Sequence, residues 1–244
     1  MLIAMEIINK ERHMKILKLA SRLPAAALAL LPGVVSAQAP GELVFTPLVG
    51  LYAPATEIAK ASVAGGGLAV TGTLKHQNAV AYGGTISYWL TDRAAIEGSA
   101  VYSPSHLKGS VTMNEGGLPV TAALSDKAYM WLGTVKVMMQ LLPPESGFNM
   151  RLGVGPAVIT RAGTAYKGDE DGKPTGLTNV GGAVSLCTRI PVTSKVGLRL
   201  RAEDYIYRSK VGWDATIPSD SYTFGIRTNN DFVFSAGLQF FLNR

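Results

Sequence analysis

The chain has 244 residues, of which 47% are hydrophobic and only 16% charged, with 27 glycines, a single cysteine and a formal net charge of +6. Soluble domains average about 25% charged residues, so this chain is poor in charge without being apolar throughout. A lone Cys187 excludes an internal disulfide and any cysteine-cluster metal site.

Part of the positive charge belongs to the N-terminus. Lys15, Lys18 and Arg22 follow Met14 and precede LPAAALALLPGVVSA, residues 23–37, an apolar stretch that ends in small residues. This is the three-part pattern of a secretory signal peptide. Cleavage is expected after Ala37 or Ala39. Met14 is the better start, with residues 1–13 an N-terminal extension. Residues 1–37 are therefore assigned to extension plus signal peptide, and 38–244 to one domain. Without 1–37 the chain keeps 18 basic and 15 acidic residues, too small an excess to argue for nucleic acid. No later apolar run reaches 18 residues, so any passage through a membrane must be made by strands.

Period-two alternation begins at TPLVGLYAP, residues 46–54, a short and irregular strand. Residues 80–90 place Val80, Tyr82, Ile86, Tyr88 and Leu90 on one face. Residues 94–102 set Ile96, Ala100 and Tyr102 against Glu97 and Ser99. Residues 128–141 set Tyr129, Trp131, Val135, Val137, Met139 and Leu141 against Thr134, Lys136 and Gln140. Residues 148–161 set Met150, Leu152, Val154 and Val158 against Arg151, Gly153, Gly155 and Arg161. Residues 177–190 set Val180, Val184, Leu186 and Ile190 against Asn179, Ser185, Cys187 and Arg189. Residues 196–207 set Leu198, Leu200, Ala202 and Ile206 against Arg199, Arg201 and Glu203. The terminal DFVFSAGLQFFLNR carries Phe232, Phe234, Ala236, Leu238, Phe240 and Leu242 at every second position. Side chains two apart share a face of a strand, so each segment has one greasy face.

The connections alternate in length. Those at Thr91-Asp92, 142–147 and 191–194 are short. Those at about 54–78, 105–126, 163–176 and 209–228 are long. Short turns at one end and long loops at the other are the layout of an outer-membrane barrel. Alternation alone allows a soluble barrel, greasy inside, or a membrane barrel, greasy outside. Three features favour the second. The polar face is rich in Gly, Ala and Ser, which suit a narrow interior. Its charges have both signs: Glu97 and Glu203 with Lys136, Arg151, Arg199 and Arg201. Aromatic residues lie toward strand ends, as at Tyr88, Tyr102, Tyr129, Phe148, Tyr205, Tyr207 and Phe240, which suits interfacial girdles. Asp204 falls on the apolar face and is expected at the outer rim. The fold class expected is all-β: a closed eight-stranded antiparallel up-and-down transmembrane β-barrel.

The signal peptide, eight strands, alternating loop lengths and aromatic final strand resemble the small OmpA-like/OmpX-like outer-membrane β-barrel superfamily over about residues 42–244. VGLRLRAEDYIYR is similar to the seventh-strand region of such proteins. Two features depart from that pattern. Phe240-Phe241 is followed by Leu242-Asn243-Arg244 rather than by a terminal aromatic, and a cell-wall tether through a peptidoglycan-binding domain is not expected. The resemblance implies a location in the bacterial outer membrane, with lipid and lipopolysaccharide as surroundings. It also implies a monomer with a structural or surface-contact role, its four long loops offering sites for an extracellular ligand. A second reading is a small OmpW-like channel for ions or hydrophobic solutes. A third is a lipid-modifying enzyme.

Chemistry gives little support to the third. His76 and His106 both fall in expected loops, and His106 is followed by Leu107 and Lys108 rather than by the His-x-Ser pair of lipid A deacylases. No catalytic, cofactor or metal residues are assigned. Asp169, Glu170 and Asp171 could offer oxygen ligands to Ca²⁺, but their spacing does not match an EF-hand loop, and a solvated turn is the better reading. The glycine pairs Gly83-Gly84 and Gly181-Gly182 read as strand bends or close packing. The best-defined polar constellation is Glu97, Lys136, Arg151, Arg199, Arg201 and Glu203. It is either an ion path or, by preference, an electrostatic plug, because an eight-stranded barrel is only wide enough for side chains to fill.

Overall fold

The structure, a computed structural model, describes residues 39–65, 68–115, 118–142, 149–166, 177–209 and 227–243. The assigned signal segment 1–37, Phe148, and Asp169, Glu170 and Asp171 lie outside them. Ten strands run in chain order: β1 (Leu43–Pro54), β2 (Ala59–Gly65), β3 (Leu68–His76), β4 (Ala79–Trp89), β5 (Ala94–Glu115), β6 (Leu118–Gln140), β7 (Asn149–Ala162), β8 (Leu177–Pro191), β9 (Val196–Ser209) and β10 (Arg227–Phe241). A single 3₁₀ turn, Thr164–Tyr166, follows β7.

Eight of these strands close a ring in the order β5-β4-β1-β10-β9-β8-β7-β6, with β6 returning to β5. Every pairing is antiparallel. The eight-stranded barrel expected from alternation is thus observed. First and last strands meet along Val49↔Ala236 and Leu51↔Phe234. Asn243 ties the last strand to the start of the first: its Oδ1 accepts from Leu43 N at 2.9 Å and its Nδ2 donates to Gly41 O at 2.7 Å. The residues beyond Phe241 therefore help to lock the closing seam.

Two of the short turns share one chemistry. Thr91 Oγ1 accepts from Ala94 N, and Thr193 Oγ1 accepts from Val196 N. A hydroxyl at the head of a turn satisfies amides that the ladder leaves free. Of each glycine pair, one member is sterically required. A Cβ on Gly83 would lie 2.2 Å from Ala100 O, and one on Gly181 2.3 Å from Ile206 O, whereas Gly84 and Gly182 have room.

The opposite end differs from the sequence expectation. Residues 54–78 and 105–126 are largely strand rather than loop. β5 and β6 continue past the ring, paired from Ala94↔Met139 to Glu115↔Leu118. Ring partner β4 leaves β5 at Tyr82↔Tyr102, and β3 takes over its edge from His76↔Leu107 upward. β2 then pairs with β3. A four-stranded extension, β2-β3-β5-β6, therefore continues the wall beyond the barrel. Its two hairpins have two-residue connections, and the sequence reads Gly66-Gly67 and Gly116-Gly117 there. Gly-Gly between strand-like runs is a hairpin signal. It was available in the sequence, although length alone suggested loops.

Burial fixes which side is which. Val49, Ile86, Val135, Val137, Met139, Val154, Leu200, Phe234 and Leu238 are exposed on the outer wall. Glu97, Lys136, Arg151, Arg199, Arg201, Glu203 and Gln239 are buried inside. So continuous an apolar exterior around a charged interior is stable only where lipid covers the outside. Closure leaves no ring edge unpaired, as a bilayer demands. On the outer wall Tyr102 packs against Tyr129 and, with ring centroids 4.9 Å apart, against Trp131, an aromatic band near the long-loop end. Tyr205 and Tyr207, expected in such a band, are instead fully inside. They share the parity of Arg201 and Glu203 on β9, and parity outranks position along the strand.

Candidate functional site

The interior divides into two polar layers. In the turn-end half, five of the six residues singled out from sequence come together. Glu97 on β5 accepts two bonds from the Arg199 guanidinium on β9, that from Nη2 at 3.0 Å. It also meets Lys136 Nζ at 3.5 Å and Arg201 at 3.8 Å. Glu203 pairs with Lys136 and, at 2.9 Å, with Arg201. Ser87 Oγ donates to Glu97 at 2.7 Å and Tyr205 Oη to Glu203 at 2.9 Å. Two carboxylates thus bind three cations, with hydroxyls filling remaining lone pairs. Such a network is costly to desolvate, but removing any one member leaves a buried charge uncompensated.

The sixth residue, Arg151, does not join it. Its Nε donates to Asn149 Oδ1 at 2.8 Å and its guanidinium lies 4.8 Å over the Trp89 ring. Arg189, buried on β8, stacks 4.3 Å over Phe241. Cys187 is also buried and accepts from Arg199 Nη2 at 3.3 Å.

The loop-end layer was not picked out from sequence as a site. Asp231 on β10 accepts from Tyr207 Oη at 2.6 Å, and Tyr207 in turn accepts from Arg161 Nη2 on β7. The Arg161 guanidinium also lies 4.7 Å over the Tyr207 ring. Above them His76, at the barrel-side end of β3, shares a 2.6 Å hydrogen bond with Tyr166 Oη and meets the Tyr52 ring edge-on. Beside this contact, Ile58, Leu107 and Ala128 form an apolar cluster with Leu74, Ala165 and Tyr166 packed on it. The extension is therefore moored to the barrel mouth. Burial, and secondarily the positive Arg161, pulls the His76 pKa down to about 3, so the ring is neutral. Parity could have found this layer: Arg161 and Tyr207 fall on the faces of Arg151 and Glu203, and Asp231 opposite Phe232 and Phe234.

Asp204 is half-buried on the outward face, and its Oδ2 accepts from Asn230 Nδ2 at 2.9 Å. Ser105 and His106 lie on β5 and face opposite sides. Ser105 is buried, donating to Gln77 O at 2.7 Å, while His106 is exposed. Among the described residues no group of three His, Cys, Asp or Glu side chains could hold a metal ion, and no helix is long and apolar enough to cross a membrane.

No protein-family model matches the chain, and no curated protein does. Solved structures do. The outer membrane protein OprG from Pseudomonas aeruginosa aligns over 85% of this chain and 98% of its own, at 11% identity and a TM-score of 0.53. The outer membrane protein AlkL, solved in lipid bilayers, aligns over 87% of this chain and 95% of its own, at 12% identity and a TM-score of 0.47. The N-terminal barrel domain of Pseudomonas aeruginosa OprF aligns over 83% and 100%, at 11% identity and a TM-score of 0.41. Closed ring, inverted polarity and the OprG likeness together give this chain the fold of the small eight-stranded outer-membrane β-barrel proteins.

Proposed function

We propose that the chain is a non-enzymatic barrel of the bacterial outer membrane, whose lipid-embedded ring mounts a surface-contacting β-sheet. The observation that carries this reading is the combination of a filled interior with a wall that extends past the ring. Ion pairs, Trp89, Met138 and Tyr205 occupy the lumen, so the barrel serves as a mount. The extension presents Lys108, Lys127 and His106 with the apolar Met113, Val120 and Leu124 on exposed positions. Surface polysaccharide or a protein of another cell is the class of partner that such a platform meets. Contact sites on a rigid scaffold are where such folds carry function.

The test has two parts. Isolated outer membranes are run on a denaturing gel with and without boiling; a barrel that resists detergent shifts on boiling. The purified protein is then placed in a planar bilayer, where a plugged lumen gives no resolved conductance steps. A soluble protein without a shift would overturn the membrane reading. Steps that vanish when Arg199 and Arg201 are both replaced by Ala would replace the mount with the ion channel.

A further inference from the structure

The charges in the turn-end half do not balance. Lys136, Arg151, Arg189, Arg199 and Arg201 are buried there with the carboxylates Glu42, Glu97 and Glu203. Glu97 and Glu203 are taken by Lys136, Arg199 and Arg201. Arg189 and Glu42 have further contacts of their own. Arg151 meets Asn149 and the Trp89 ring, neither of them an anion. Its Nη2 is buried without a hydrogen-bond partner.

The strand register makes this worse. Arg151 lies across from Cys187, and Cys187 across from Arg201; Arg189 lies directly opposite Arg199. Four arginines thus line one wall over three strands; Arg189 and Arg199 repel Arg151, while Glu97, already shared among three other cations, and the Cys187 sulfur favour its charge. Like charges paired across strands destabilise a sheet.

The same layer is rich in unmet donors. Trp89 Nε1, Gln239 Nε2 and Thr46 Oγ1 are buried and unpartnered, as is the acceptor oxygen Gln239 Oε1, and the buried Glu42 Oε1 accepts no hydrogen bond. Trp89 packs in one cluster with Val44, Cys187 and Phe241, and Thr46 and Gln239 are the next inward residues along β1 and β10 from Val44 and Phe241. Water could satisfy N–H groups, but it cannot cancel a buried charge.

We propose that this layer binds a small inorganic anion of the halide class, held by Arg151 Nη2, Trp89 Nε1 and Gln239 Nε2. An interior that side chains nearly fill favours a monatomic ion over phosphate or sulfate. The ion supplies the contact counter-charge that Glu97, paired with Lys136, Arg199 and Arg201, gives Arg151 only from a distance.

Chloride itself is the probe. The full chain is folded in detergent in sodium gluconate and titrated with sodium chloride at constant ionic strength. The ³⁵Cl NMR linewidth and the unfolding midpoint are followed together. The expected result is a saturable broadening with a matching rise in the midpoint, both displaced by bromide. Arg151→Met should weaken binding at least about tenfold, the size of one charge-assisted hydrogen bond. Trp89→Phe keeps the ring and removes only the N–H, and Gln239→Leu removes the amide; each should weaken it about threefold or more. No saturable broadening in the folded wild-type protein overturns the proposal by itself. So does saturable binding that survives both Trp89→Phe and Gln239→Leu unchanged, whether or not Arg151→Met folds.

Discussion

The two halves of the lumen solve the same problem differently. Near the short turns, the interior is ionic: Glu97 and Glu203 are shared among Lys136, Arg199 and Arg201 across β5, β6 and β9. Near the long-loop end it is phenolic: one cation, Arg161, and one carboxylate, Asp231, are joined through Tyr207. Between them lies an apolar layer that includes Leu48, Val101, Leu132, Ala157 and Val233. The ionic half cross-links strands that are far apart in sequence, so it holds the ring closed. The phenolic half lies beneath His76 and Tyr166 and supports the docked extension. One half therefore governs closure of the barrel, the other the attachment of the surface sheet.

The largest break should come from Glu97→Ala. Arg199 would lose both its carboxylate bonds, and three cations would be left with Glu203. Stability should fall by about 3–5 kcal/mol, the usual cost of stripping one partner from a buried network. Urea unfolding of the detergent-folded protein would measure it. A loss below about 1 kcal/mol, the scale of a solvated pair, would mean that water screens this layer.

Tyr207→Phe should cost less, about 1–3 kcal/mol, because it removes one link between neutral and charged groups while leaving Arg161 near Asp231. Its signature is regional: faster hydrogen exchange in β3 and at the upper end of β10, with little change around Glu97. Uniform loosening of the ring would erase the distinction between the halves.

The smallest effect should be a pH dependence confined to the loop end. His76 faces Tyr52, Tyr166 and the positive Arg161, and its folded pKa is about 3 against 6.5 in the unfolded chain. The docked state therefore binds fewer protons between those values. Its contribution to stability is complete above about pH 6.5 and declines as pH falls toward 3. Proteolysis of the β2–β3 hairpin should be faster at about pH 5 than at about pH 8, with the ring intact at both. His76→Gln should flatten that difference; an undiminished slope would assign it to another group.

Much of the turn-end site was legible in the residues themselves. Alternation set Glu97, Lys136, Arg199, Arg201 and Glu203 on one face, and both signs of charge on that face identified it as the interior. Arg151 shared the parity but not the partnership, because parity names a side and not a neighbour. The loop-end layer was legible by the same rule, yet Tyr207 looked like an interfacial aromatic when judged by its place near a strand end.

What the sequence determined by itself is therefore local: period-two faces and turn positions at Thr91 and Thr193. These depend on residues a few positions apart and on the two-fold pleat of a strand. Only the tertiary structure decided which charges meet, since Arg199 reaches Glu97 across 102 residues. It also decided where the wall stops. β5 and β6 continue beyond the ring because β3 replaces β4 along β5, and an edge filled by a new partner remains strand where an unpaired one would end.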